Sequence, residues 1–380
     1  MKLAVFGLTV TSSFGNGHAT LWRGLCRGLD QLGHRVVFFE KDVSYYARHR
    51  DVEEVPGCEL VLYRDWEEVR PRAETAVGAA DAAMVTSYCP DALAATALAR
   101  RSPLAVFYDM DTPVTLRHLA RGEEVPWVGP RGLAEFDLVL SFTGGRSLAE
   151  LRDRLGARRL APLYGSVDPE SHRPVPADPD LAGDLSYLGT YAADRQEGVE
   201  RLFLEPARRR PERRFVLGGS LYPETIDWPG NVLRVRHVPP PRHPAFYCSS
   251  PATLNVTRGP MAENGYCPSG RLFEAAACGV PVVSDVWPGL ETFFEPGREI
   301  LLARSTDDVV GAVELGPERL ARIGAAARER VLAEHTARRR AEELVALLES
   351  PLPEPRRVPR GETVDGRPEA AESARRRVEA

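Results

Sequence analysis

Lysine is almost missing from this chain: it occurs only at Lys2 and Lys41, although lysine and arginine together number 49. Any long cationic side chain in the second half is therefore arginine. A phosphate held there meets a planar guanidinium that binds in bidentate fashion, not an ammonium point charge. Cysteine is scarce as well. The six thiols at Cys26, Cys58, Cys89, Cys248, Cys267 and Cys278 form no Cys-x-x-Cys pair. That excludes a zinc ribbon or a disulfide framework and leaves small buried hydrophobes in a reducing compartment. No apolar run reaches the roughly 18 residues of a membrane span. Met1-Lys2 leads straight into a strand pattern with no signal-peptide features, so the expectation is a cytoplasmic protein without a transmembrane segment. The net charge is only −5, which gives no reason to expect a nucleic-acid partner.

What is present is ordinary in composition: 43% hydrophobic and 27% charged over 380 residues. That is enough chain for two cores and too much for one. Apolar strand patterns at Lys2–Leu8, Arg35–Glu40, Glu59–Tyr63, Ala82–Thr86, Leu104–Tyr108, Asp137–Phe142 and Arg159–Leu163 alternate with helical segments. The first of those segments begins near His18, with Leu21, Trp22, Leu25, Leu29 and Leu32 on one face. The pattern restarts at Asp184–Gly189 and continues through Arg214–Gly218, Val232–His237, Ala252–Val256, Val280–Ser284 and Glu299–Leu302. Such alternation predicts an α/β protein of two Rossmann-like, doubly wound domains. The expected boundaries are 1–170 for the first domain, 171–183 for a Pro-rich linker and 184–350 for the second. Helices are expected at Thr306–Ala312 and Pro317–Leu348, the last crossing back toward the first domain. A charged tail at 351–380 lacks large apolar side chains and is expected to be disordered, with a stub of helix near Ala370–Ala380.

Chemistry concentrates in residues 252–285, ATLNVTRGPMAENGYCPSGRLFEAAACGVPVVSD, a strand–loop–helix–strand unit. The segment Thr257–Pro268 reads as loop. Ser269 is placed to cap a helix carrying Leu272, Phe273, Ala276 and Ala277, and Gly279 stops it. Ser269, Gly270 and Arg271 offer a hydroxyl, room for close backbone approach and a guanidinium beside unpaired N–H groups. Such a helix start seats an anion the size of a pyrophosphate. Glu274, one turn on, can accept hydrogen bonds from a ribose diol. The plainer alternative is a capped amphipathic helix with a surface Arg271–Glu274 pair.

RLFEAAACGVPVVSD, running on to Glu291, resembles the nucleotide-binding signature of GT-B glycosyltransferases of family 4. In those enzymes the helix glutamate, here Glu274, grips the donor ribose. ENGYCPSGRLFEAAACGVPVVSD with PGLETFFEPGREILLA is similar to the CgeB-type glycosyltransferases, named for a spore-maturation protein. The resemblance implies a GT-B fold, its two domains facing across a cleft. It also implies transfer of a sugar from a nucleotide-diphosphate-sugar donor to an acceptor, with no cofactor and no metal. Family 4 often places a second glutamate eight positions earlier, where this chain has Tyr266; the nearest loop acid is Glu263, and both residues are expected on the donor side.

The resemblance further marks Gly189 and Arg195, in GTYAADR, as a turn facing the donor phosphates, and Arg258 as another cation. His237 and Val238, in HVPPP, would border the base, and Tyr164–Asp168 is similar to an interdomain element. In the first domain, Gly15-Asn16-Gly17-His18 occupies the first strand-to-helix turn. There His18 can act as base on an acceptor hydroxyl, which would invert the anomeric carbon, or can simply follow an Asn16 cap. Asp109 and Asp111, in FYDMDTP, suggest a cleft wall that orients His18 or binds acceptor hydroxyls, or else an Asx-type turn stiffened by Pro113. A GT-A-type Asp-x-Asp metal motif is rejected, since the diphosphate site lies in the other half of the chain. Two rival functions remain: a GT-B nucleotide-sugar 2-epimerase, and a non-catalytic nucleotide-sugar binder or spore-coat-type protein.

Overall fold

The computed structural model describes residues 1–351. The expected disordered tail and helical stub lie, apart from Pro351, outside the described residues. Seven strands make the first sheet: β1 (Lys2–Gly7), β2 (Arg35–Lys41), β3 (Cys58–Tyr63), β4 (Ala82–Thr86), β5 (Ala105–Asp109), β6 (Leu138–Ser141) and β7 (Leu160–Pro162). Their order is β3-β2-β1-β4-β5-β6-β7 and every pair is parallel. The second sheet holds β8 (Leu185–Leu188), β9 (Phe215–Gly218), β10 (Val232–Val235), β11 (Thr253–Asn255), β12 (Val282–Ser284) and β13 (Leu301–Leu302). It runs β10-β9-β8-β11-β12-β13, again all parallel.

The strands read as unbroken apolar runs because helices cover both faces of each sheet. β4, β5, β8 and β9 are buried at every residue. Phe6, Phe39, Phe107 and Phe136 pack on one side of the first sheet, and Trp22, Phe38 and Tyr108 on the other. Strand order reverses between β1 and β4 and between β8 and β11. In doubly wound sheets the crevice at such a reversal, beyond the carboxyl ends of the strands, is where ligands bind.

Two segments differ from expectation. The span read as loop contains a helix at Gly259–Asn264. Pro260 suits its first turn, and Gly265, at φ 69°, ends it. The long last helix is two, Pro317–Glu334 and Ala337–Glu349, parted at His335-Thr336. There the chain is pinned from outside: the Val167 N–H donates to the His335 carbonyl at 3.0 Å and the Ala337 N–H to the Val167 carbonyl at 2.7 Å. The final helix then leaves the second sheet and puts Ala341, Leu344 and Leu348 into the first core beside Leu25 and Leu29. Gly28 makes the approach possible, because a Cβ there would stand 2.7 Å from the Ala337 carbonyl oxygen.

Candidate functional site

The two strand-order reversals face one cavity of about 850 Å³, lined from both sheets. Gly15 to His18 follow β1, and Gly189 to Thr190 follow β8. Thr257 and Arg258 follow β11, and Ser269 to Arg271 with Glu274 come from the helix Gly270–Ala277.

Two guanidiniums dominate the second-sheet side. Arg195 is 8% exposed and donates to the Thr190 carbonyl. Arg271 lies over the Tyr187 ring, 5.6 Å from its centroid, and one of its terminal nitrogens is buried with no partner. Neither forms an ion pair among the described residues. Burial, with the Arg271 charge adding to it, presses Arg195 below the usual guanidinium value. A buried and a half-buried like charge, close enough for one to lower the pKa of the other and neither paired, call for an anion. The turns after β8 and β9 meet closely: the Gly189 N–H donates to the Gly218 carbonyl at 2.8 Å. Gly219 tolerates no side chain, since a Cβ would lie 2.0 Å from the Gly189 oxygen. Ser269 occupies the cap position with extended backbone, but its hydroxyl makes no capping bond, so the first N–H groups of the helix stay open.

Glu274 and Arg271 do not pair with each other, which removes the plain surface-pair reading. The Tyr247 hydroxyl donates to Glu274 Oε2 at 3.0 Å. Burial would raise the Glu274 carboxyl; His172, His243, the Tyr247 bond and Arg271 outweigh it and hold the group below the usual carboxylate range. His237 and Val238 line the cavity. The Val238 carbonyl already accepts from His243 Nε2 at 3.1 Å, leaving one lone pair there.

On the first-sheet side, His18 and Asp111 line the cavity and Asp109 does not. Asp109 is 0% exposed beneath it, and its Oδ1 accepts the Asp111 N–H at 3.2 Å. Burial pushes Asp109 up to about 7. Asp111 rises to about 6, again by burial, with Arg258 and the Tyr88 hydroxyl pulling against it. His18 is pushed down to about 4 by burial, and its Nδ1 has no partner. Neither aspartate orients His18, contrary to one expectation. Tyr88 stands between them, its ring edge on His18 at 5.7 Å and its hydroxyl donating to Asp111 Oδ2 at 3.1 Å. Tyr88 sits at φ 63°, a costly conformation for a tyrosine and one that collects at functional sites. Its place directly beyond β4, at the strand reversal, was the sequence signal that could have found it. The Asn16 cap is present: its Oδ1 accepts the His18 and Ala19 N–H groups at 3.1 and 3.3 Å.

Three expected donor contacts are corrected. Glu263 is exposed on the helix Gly259–Asn264 and points away from the cavity lining. Tyr266, at φ 46°, is not among the lining residues either. Its ring is wedged between Gly145 and Gly289, where a Cβ on either would come within 2.5 Å of it, and its carbonyl accepts the Gly144 N–H at 3.0 Å. Tyr266 therefore joins the two halves of the chain through packing and a backbone hydrogen bond. Arg258 lines the cavity but is paired with Asp194 at 3.0 Å, so it is not a free cation.

Residues 195–346 match the glycosyl transferase-like family. Two parallel α/β sheets facing one cleft give the chain the GT-B fold of solved glycosyltransferases. Among solved structures the chain is similar to sucrose-phosphate synthase from Thermosynechococcus elongatus, at 16% identity and a TM-score of 0.65, over 91% of this chain and 98% of that one. It is also similar to Anabaena HepE in complex with UDP and glucose, at 14% identity and a TM-score of 0.64, over 92% and 99% of the two chains. Trehalose-6-phosphate synthase OtsA gives 10% identity and a TM-score of 0.66 over 93% and 100%. No curated protein matches the chain. No described helix is long and apolar enough to cross a membrane.

Proposed function

We propose that the chain is a CgeB-type glycosyltransferase moving a sugar from a nucleoside-diphosphate-sugar donor, held by the second sheet, to an acceptor held by the first. The observation that carries this reading is the pair Arg195, buried, and Arg271, half-buried with one terminal nitrogen unpartnered, neither in an ion pair among the described residues, at the start of the helix Gly270–Ala277. A diphosphate supplies the charge they lack, and Glu274 then lies one turn further along for the ribose hydroxyls. As the bond between the anomeric carbon and the diphosphate oxygen breaks, negative charge grows on that oxygen. The two guanidiniums and the helix N–H groups stabilise it, so the reaction needs no metal in the donor half.

The acceptor hydroxyl gives its proton to Asp111 as its oxygen bonds the anomeric carbon. With its carboxyl at about 6, Asp111 is ionised at neutral pH and close enough to it to be an effective base. His18, at about 4, stays neutral and takes protons poorly. Anabaena HepE has been solved with UDP-glucose, and a UDP-sugar is the first donor to try here. Thermal shift against UDP, GDP, ADP and dTDP sugars tests the donor half, because a ligand of the native state raises its melting point. Incubation of the stabilising donor alone, followed by product analysis, separates a transferase from a 2-epimerase. An epimerised donor would replace transfer by 2-epimerisation, and no shift with any donor would remove the reading.

A further inference from the structure

His172, His243 and Glu274 come together in the same cavity, and the sequence gives no hint of it, since they stand on a linker and two separate helices. One ligand atom from each lies within 4.8 Å of the other two. His172 is 7% exposed and its Nε2 has no hydrogen-bond partner. His243 donates through Nε2 to the Val238 carbonyl, which leaves the lone pair on Nδ1. That Nδ1, also without a partner, faces Glu274 Oε2 across 4.0 Å. Three ligand atoms therefore lie together with no hydrogen bond between them.

A divalent cation resolves that arrangement. Two imidazoles and a glutamate are a ligand set zinc takes in catalytic sites, with a fourth position left open. The His243 bond to a backbone carbonyl is the outer contact that fixes the tautomer of a metal-bound imidazole. We propose that His172 Nε2, His243 Nδ1 and the Glu274 carboxylate form a site for a divalent cation of the zinc class, and that this cation competes with the donor ribose for Glu274. The second clause rests on the function proposed above; the first does not. Zinc is then an inhibitor of donor binding and takes no part in the transfer.

The test uses the full chain stripped with EDTA. Calorimetry with zinc sulfate is expected to give one site per chain, weakened at least tenfold in His172→Ala and in His243→Ala. UDP is the nucleotide probe. The UDP affinity of each protein without zinc is its own reference. With zinc at ten times its Kd, the apparent UDP affinity of wild type falls about tenfold by mass action, while that of His172→Ala is unchanged. A melting-temperature rise with zinc in wild type, absent in both variants, reads the same site without nucleotide. No zinc binding, or equal binding in wild type and both variants, overturns the metal site. Zinc and UDP binding together without mutual effect overturns the shared carboxylate. Wild type that takes zinc but in EDTA binds none of UDP, GDP, ADP and dTDP strikes the donor reading and leaves the metal site standing.

Discussion

Arg271 and Glu274 are one helical turn apart and should fail differently when removed. Arg271→Ala takes away a cation whose hold on the diphosphate tightens as further charge grows on the departing oxygen. Its kcat is expected to fall about 10²–10³-fold, the usual loss of an oxyanion donor, with a smaller change in KM. Glu274→Ala removes a charged hydrogen-bond acceptor from the ground-state complex. Donor Kd is expected to rise roughly 10–100-fold with kcat less affected. Steady-state kinetics with calorimetry on both variants separates the two, and identical profiles would undo the division of labour. Asp111 carries the pH prediction. Its carboxyl sits at about 6, above the ordinary aspartate value, and a base must be ionised to work. Activity should therefore be full above that value and fall as pH drops through it. Asp111→Asn should abolish transfer at every pH while UDP still binds. A pH profile flat between 5 and 8 would pass the proton to another group.

At the scale of elements, Gly28 offers the sharpest test. It lies on the helix His18–Gln31 where the final helix crosses, and a Cβ would meet backbone, which cannot rotate aside. Gly28→Val should cost about 1–3 kcal/mol of stability by overpacking, visible as a lowered melting temperature with the fold retained. A neutral effect would mean the two helices can slide apart. The strands themselves were legible in the sequence because each is a local pattern: a short apolar run bounded by turn residues needs no knowledge of its neighbours. The helix Gly270–Ala277 was legible for the same reason. Contacts carried over by counting along a loop were not. Gly265 and Tyr266 both take positive φ, so the chain reverses there, turning Glu263 to solvent and Tyr266 against two glycines. His172 and His243 escaped notice because nothing in their local spacing joins them; only the packing of linker on helix does. Tyr88 was hidden among ordinary turn residues, and its strained backbone is invisible in a sequence.

For the molecule as a whole, the chain's return path ties the two sheets together. After building the second sheet it passes Val167 and lays Ala337–Glu349 against the first. Leu344 and Leu348, 0% and 7% exposed there, contribute together about 3–6 kcal/mol of apolar burial. A native domain has only about 5–15 kcal/mol to lose. A chain ending at residue 336 should therefore unfold its first sheet near ambient temperature while the second sheet still melts separately. A control ending at residue 351 keeps the helix and should melt as the full chain does. Calorimetric scans of the three decide it. Donor affinity sharpens the result: if the donor site belongs to the second sheet, the shorter chain should still bind UDP with its first sheet unfolded, although it cannot transfer. Equal melting of all three chains would show that the final helix covers the first core without supporting it.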